Sequence, residues 1–262
     1  MQKVAFSACA LLMLLGLAAD AATVEEAAVK AHNDARRADA KAAGATNLYE
    51  LVWDPALAKD AQNWAEKCAF EHSHPAGEGQ NLYYRSPRHH PDDYYINLAV
   101  QKWMAEKQDD TSGHFDCCAS GSNHHSCCHY TQVVSARSRK VGCHVAHCDH
   151  LTRDGNTITT NSPAYVVCNY EPAGNHFSHG SHAAYLTGQL CSACDTGDKC
   201  NDGLCVTSTE TVWTKQISIG DKGEVISGSL SCSDFHFTHP VQFPLQVRLL
   251  FSPLGQQGFY CL

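Results

Sequence analysis

Apolar and polar positions along residues 22–180 follow two successive rhythms. The first is helical. Thr23 and Glu26 form a T-x-x-E capping box, which predicts a helix start. Gly44 is placed to end that helix in a left-handed turn. Asp54-Pro55 predicts a second start, with aspartate at the cap and proline in the first turn. Leu57, Ala61, Trp64, Cys68 and His72 then recur at three- and four-residue spacing, a buried stripe that would end on His72. A third helix is expected over residues 96–107, with Ala99, Val100 and Trp103 inward and Glu106 on nearly the same face. Later the period shortens to that of strands, over residues 140–148 and 164–170. Asp154-Gly155 marks a turn between them. Helices first and strands later predict an α+β layered domain rather than alternating βαβ units.

The ends of the chain read differently. Lys3 precedes an apolar run over residues 4–19, and Ala19-Asp20-Ala21 offers a small-residue cleavage pattern. Residues 1–21 are therefore expected to be a signal peptide, too short and wrongly flanked for a membrane anchor. Cleavage would discard Cys9 and leave fourteen of the 15 cysteines. They are Cys68, Cys117, Cys118, Cys127, Cys128, Cys143, Cys148, Cys168, Cys191, Cys194, Cys200, Cys205, Cys232 and Cys261. An even set of this size in an exported chain predicts a disulfide framework whose connectivity the sequence leaves open. Cys191-x-x-Cys194 and Cys200-x4-Cys205 could also hold zinc, but export favours disulfides. Residues 181–206 form a cysteine-rich segment poor in apolar residues, and residues 207–262 an extension of unassigned structure.

Charge narrows the partners. The formal net charge is −8, which argues against nucleic acid or an anionic membrane surface. The 17 histidines form small clusters, among them His89-His90, His124-His125, His144/His147/His150 and His176/His179/His182. They read as solvated loop residues with weak metal affinity. No H-E-x-x-H, G-x-S-x-G, G-x-G-x-x-G or P-loop is present. What remains is a scattered polar set amid apolar neighbours: His32 with Arg36, His72, Gln80-Asn81, Glu106, and His129-Tyr130. Several such groups together mark a candidate site.

Five ordered motifs over about 150 residues then resemble one family, the CAP superfamily of cysteine-rich secretory proteins, venom antigen 5 and pathogenesis-related 1 proteins. They are His32-Asn33-Asp34-Ala35-Arg36, Cys68 to Ser73 as C-x-x-x-H-S, Gly79-Gln80-Asn81-Leu82, Cys128-His129-Tyr130-Thr131-Gln132-Val133-Val134, and Tyr165 to Asn175 around Cys168-Asn169-Tyr170. Cys191 to Cys205 further resembles the hinge of cysteine-rich secretory proteins. The resemblance implies a three-layer α-β-α sandwich over residues 22–180. It also implies a polar cleft built from His72, Gln80, Glu106 and His129.

Two departures matter. Gln80 stands where glutamate is usual, a weaker ligand that cannot act as a general base. Ser135 replaces a usual tryptophan, and the pairs Cys117-Cys118 and Cys127-Cys128 are extra. His32, Asn33, Arg36, Asn81, Tyr130, Asn169, Tyr170 and Asn175 are assigned to structure, and no residue to catalysis.

The implied function is a secreted, non-enzymatic binding protein with a defence, venom or allergen-like role. Its cleft would take a sterol or other lipid, and a divalent metal such as zinc held by His72, His129 and Glu106. No cofactor is required. Two alternatives are an ion-channel or receptor modulator and a secreted endopeptidase. The first lacks the six-cysteine module, since only Cys232 and Cys261 follow Cys205. The second lacks a nucleophile motif.

Overall fold

The computed structural model describes residues 22–73, 77–111, 115–118, 126–175 and 184–208, with short strands at 217–218 and 225–226. The expected signal peptide, Cys232, Cys261 and the clusters His124-His125 and His176/His179/His182 lie outside the described residues. The chain divides into two compact units, Met1–Ser208 and Thr209–Leu262. In the second, Ile217–Ser218 pairs antiparallel with Val225–Ile226.

Helix α1 spans Val24–Ala43 and begins with the expected capping box between Thr23 and Glu26. Gly44 ends it at φ 70°, its N–H donating to Ala40 O. Strand β1 (Val52–Trp53) leads to α2 (Pro55–Ala65), whose cap Asp54 accepts from the N–H groups of Ala56 and Leu57. Helix α2 stops seven residues before His72. Cys68 adopts a left-handed backbone at φ 54° and pairs with Cys148. The helical stripe expected to reach His72 is thus cut short by a crosslinked turn, and His72 lies outside any helix or strand. Strand β2 covers Gly79–Arg85, and α3 covers Asp92–Ala105. Asp92 and Asp93 favour the earlier start of α3 by complementing its N-terminus. At its end Glu106–Asp109 tightens into a 3-10 turn, so Glu106 is not in the α-helix as expected. A short 3-10 turn at 116–118 precedes α4 (Cys128–Val133).

Strands β3 (Lys140–His147) and β6 (Ala164–Glu171) flank a hairpin of β4 (Leu151–Arg153) and β5 (Asn156–Thr159). The main sheet runs β1-β3-β6-β2. Its β1–β3 pair is parallel and the other two are antiparallel. The two-residue period of β6 explains the layers. Val166, Cys168 and Tyr170 face one core with Trp103, Tyr130 and α1, while Tyr165 and Val167 face a second core with Ala61 and Ala65 of α2. Strand β6 is buried on both sides from Ala164 to Tyr170, as a covered central strand must be. The result is the expected three-layer α-β-α sandwich, with α2 on one face and α1, α3 and α4 on the other. Gly142 lets α2 lie directly on β3: a Cβ there would come closer than 3.0 Å to backbone atoms of Asp54, Leu57 and Ala58.

Residues 184–208 belong to this same unit. Strands β7 (Lys199–Asn201) and β8 (Leu204–Val206) form a hairpin crosslinked by Cys191–Cys200 and Cys194–Cys205. Cys205 N–H donates to Leu48 O, and Glu50 N–H donates to Cys205 O. Leu204, Cys205 and Tyr185 are buried against the core.

Candidate functional site

Three local folds bring the expected polar residues to one cleft. The segment after Cys68 carries His72, β2 carries Gln80, and the start of α4 carries His129. Around them Phe70, Glu71, His72, Leu82, His129, Arg153 and Asp154 line a cleft of about 350 Å³.

Each histidine is held from behind. His129 Nδ1 lies 2.6 Å from Glu106 Oε1. The other oxygen of Glu106 accepts from the His129 and Tyr130 backbone N–H groups at 3.0 and 3.3 Å. A carboxylate only accepts, so His129 Nδ1 donates and its lone pair sits on Nε2. Trp103 stacks near the same ring, with centroids 6.1 Å apart. His72 Nδ1 lies 3.1 Å from Gln80 Oε1. That oxygen is the acceptor, because Ser73 N–H also donates to it at 3.0 Å. His72 therefore takes the same tautomer. Gln80 Nε2 donates to Ser73 Oγ at 2.7 Å and to Asn169 Oδ1 at 3.0 Å. The amide thus makes two bonds as acceptor and two as donor. A glutamate in its place could not make the donor pair, which gives the departure at Gln80 a structural reason.

The tetrad is therefore two backed imidazoles and not a four-ligand cage. Among the described residues, His72, His129 and Glu106 do not converge within 4.8 Å; only Cys191, Cys194 and Cys205 do. All three of those cysteines are in disulfides.

The remaining motif residues make hydrogen bonds within the frame. His32 Nδ1 lies 2.7 Å from Ala28 O and Nε2 lies 2.8 Å from Tyr170 Oη. Asn33 brackets Leu51, donating to its carbonyl at 2.9 Å and accepting from its N–H at 2.8 Å. Arg36, fully buried, donates to Tyr49 O, Val133 O, Ser135 O and Ser138 O. Asn81 Nδ2 donates to His129 O, and Asn175 Nδ2 to Cys128 O. The extra cysteines form a double clamp, Cys117–Cys127 with Cys118–Cys128, directly before His129. Cys143–Cys168 ties β3 to β6.

Three features escaped the sequence reading. Asp39, its side chain only 2% exposed, binds Lys107 Nζ at 2.5 Å and accepts from the hydroxyls of Tyr130 and Tyr185. Burial, then the Asp39 charge, hold both phenols well above their ordinary range. Next to this cluster, α1 and α3 enclose a groove of about 500 Å³. Ala31, Ala35, Ala38, Ala42, Val100 and Met104 line most of it, together with Asp39 and Lys107. The signal was an alanine every three or four residues, which reads equally as close helix packing. The third feature is Arg153, whose turn was legible but whose approach to Phe70 was not.

Residues 29–170 match the model of the family described as "Cysteine-rich secretory protein family", the CAP domain. Among curated proteins, "Cysteine-rich secretory protein LCCL domain-containing 1" of Gallus gallus is 36% identical over 171 residues. The match covers 62% of this chain and 31% of that protein. "Peptidase inhibitor 15" of Gallus gallus is 35% identical over 65% of this chain and 67% of its own length. The chain thus spans about a third of the first of these relatives and two thirds of the second. Among solved structures, "Crystal structure of NaASP2 with Zn2+" is 27% identical with a TM-score of 0.58, covering 69% of this chain and 94% of that one. "Crystal Structure of Na-ASP-1" has the same TM-score at 25% identity, covering 69% of this chain and 46% of that one.

Proposed function

Since the chain belongs to the cysteine-rich secretory protein (CAP) family, we propose that it is an exported, non-enzymatic binding protein whose cleft holds a divalent transition metal between His72 and His129. One observation carries this reading: both imidazoles are fixed by Nδ1 contacts in the tautomer that puts the lone pair on Nε2. A carboxylate behind a ligating histidine is the usual support of such a ligand, because it orients the ring and raises its basicity. Glu106 fills that supporting role rather than serving as a third ligand. Two nitrogen donors suit zinc or copper, and a bound ion would supply a Lewis-acidic centre with open positions. The NaASP2 structure solved with Zn2+ supports the choice of metal.

Export is supported by six disulfides among the described residues, since reducing compartments do not sustain such a framework. No helix among the described residues is long and apolar enough to cross a membrane. The non-enzymatic reading is supported by Gln80, an amide with no basic function, whose hydrogen bonds are all directed into the frame.

Calorimetry with zinc on the full mature chain tests the metal reading. The double variant His72→Ala/His129→Ala is expected to lose binding by at least about a hundredfold, and Glu106→Gln to weaken it roughly tenfold. Undiminished binding by the double variant would refute the assignment and place the metal in a surface histidine cluster.

The apolar lining of the α1–α3 groove favours a second reading. A long lipid or sterol chain fits that groove of about 500 Å³ better than the cleft of about 350 Å³ where the resemblance placed it. Ala38→Trp, which introduces bulk at the groove, should weaken binding of a fluorescent fatty acid or sterol by at least about tenfold. An unchanged titration would count against the groove.

A further inference from the structure

We propose that the β4–β5 hairpin equips the cleft with an oxyanion-recognition residue, Arg153, and that its ligand carries a carboxylate or phosphate group on an apolar body. The inference shares the cleft with the metal reading but does not need the metal.

The hairpin is bound firmly to the segment that bears His72. Thr152 N–H donates to Cys68 O at 3.0 Å, and Phe70 N–H donates to Thr152 O at 2.7 Å. Asp154 N–H donates to Glu71 Oε1 at 2.6 Å. The Cys68–Cys148 disulfide closes the base of this assembly. The Arg153 side chain is set by two further contacts. Its guanidinium carbon lies 4.8 Å from the Phe70 ring centroid, and Nε donates to Phe70 O at 3.4 Å. Phe70 is itself wedged edge-on against Tyr84 and Tyr165. An arginine held over an aromatic face loses little further freedom when its fork meets an anion.

Arg153 enters no ion pair among the described residues, although eleven other arginine, lysine and histidine contacts with acids surround the fold. Two carboxylates share the cleft, those of Glu71 and Asp154. Glu71 is directed to a backbone N–H instead of to the guanidinium. The Nη groups thus remain for an external partner, and a planar fork matches the two oxygens of a carboxylate or phosphate. Phe70 and Leu82 supply the apolar wall beside it. The ligand so described is an aryl or alkyl oxyanion.

Benzoate and phenyl phosphate share a ring and differ in the anion, and benzyl alcohol is their neutral control. Binding of each to the full mature chain, metal-free and zinc-loaded, is measured by calorimetry or by shifts in NMR spectra. At least one anion should bind about tenfold more tightly than benzyl alcohol, with or without zinc. The tighter anion identifies the group recognised. Arg153→Met, which keeps an apolar stem against Phe70, should reduce that binding at least about fivefold while zinc affinity and melting temperature stay unchanged. Anions that bind no better than the alcohol, or equally well to Arg153→Met, would overturn the inference. Anion binding by a chain that takes up no zinc would sustain it and overturn the metal reading alone.

Discussion

Replacing Arg36 with methionine is expected to lower the unfolding free energy by roughly 3–5 kcal/mol, the range for stranding a buried polar network. The guanidinium is fully buried. It bonds to Tyr49 O at 2.7 Å, Val133 O at 2.7 Å, Ser135 O at 3.0 Å and Ser138 O at 3.3 Å. Burial pushes its pKa down to about 9, with Arg139 adding to the effect. The charge is therefore held at a cost that the carbonyl dipoles must offset. Methionine fills much of the volume but donates nothing, so buried carbonyls lose their donor. Lysine should rescue little, because a single ammonium nitrogen cannot reproduce the three-nitrogen fork that reaches these four carbonyls. Denaturant unfolding with the disulfides intact measures the effect. A loss below about 1 kcal/mol would show that water or neighbouring amides replace the guanidinium readily.

The second large effect is acid sensitivity from His32. Burial lowers its pKa from 6.5 to about 4, and the Arg36 charge acts in the same direction, against the hydrogen bond to Ala28. The sign follows from proton linkage. Between those two values the unfolded chain binds the proton and the folded chain resists it, so stability falls as pH drops from about 6.5 toward 4. The full loss is on the order of 3 kcal/mol, since each pKa unit is worth about 1.4 kcal/mol. His144, also lowered chiefly by burial, contributes in the same sense. The geometry explains the resistance: Nδ1 donates to Ala28 O and Nε2 accepts from the Tyr170 hydroxyl. A second ring proton would face that hydroxyl, which Asn81 Nδ2 already approaches at 3.4 Å. His32→Asn should be less stable at neutral pH yet show a flatter stability profile across this window. If its profile is as steep as the parent's, His32 is not the source.

Local signals carried much of this fold. The capping box, Gly44 and Asp54-Pro55 act within one helical turn, and each marks an element edge in the structure. The alternation in residues 140–148 and 164–170 sorted their side chains into two cores, because strand geometry depends only on adjacent residues. The misses were non-local. The stripe from Leu57 to His72 keeps helical spacing, but the Cys68–Cys148 crosslink and a left-handed Cys68 redirect the chain. Glu106 follows Trp103 at helical spacing, yet it sits in a tighter turn and spends its carboxylate on His129 and Tyr130. The motifs named the members of the cleft. They could not say that Gln80 would be locked by Ser73 and Asn169, or that Arg153 would join from a hairpin eighty residues away.

Packing of residues 184–208 bears on how the protein can be divided in the laboratory. The family match ends at residue 170, which invites a shortened chain cut near there. Such a cut would strip Cys205 from Leu48, take Leu204 out of the core and remove Tyr185 from Asp39. It would leave an apolar wound on the α1 side and an aspartate with one fewer donor. The smallest piece that keeps this core closed runs to residue 208, and its last cystine-rich stretch serves as a plug rather than an arm.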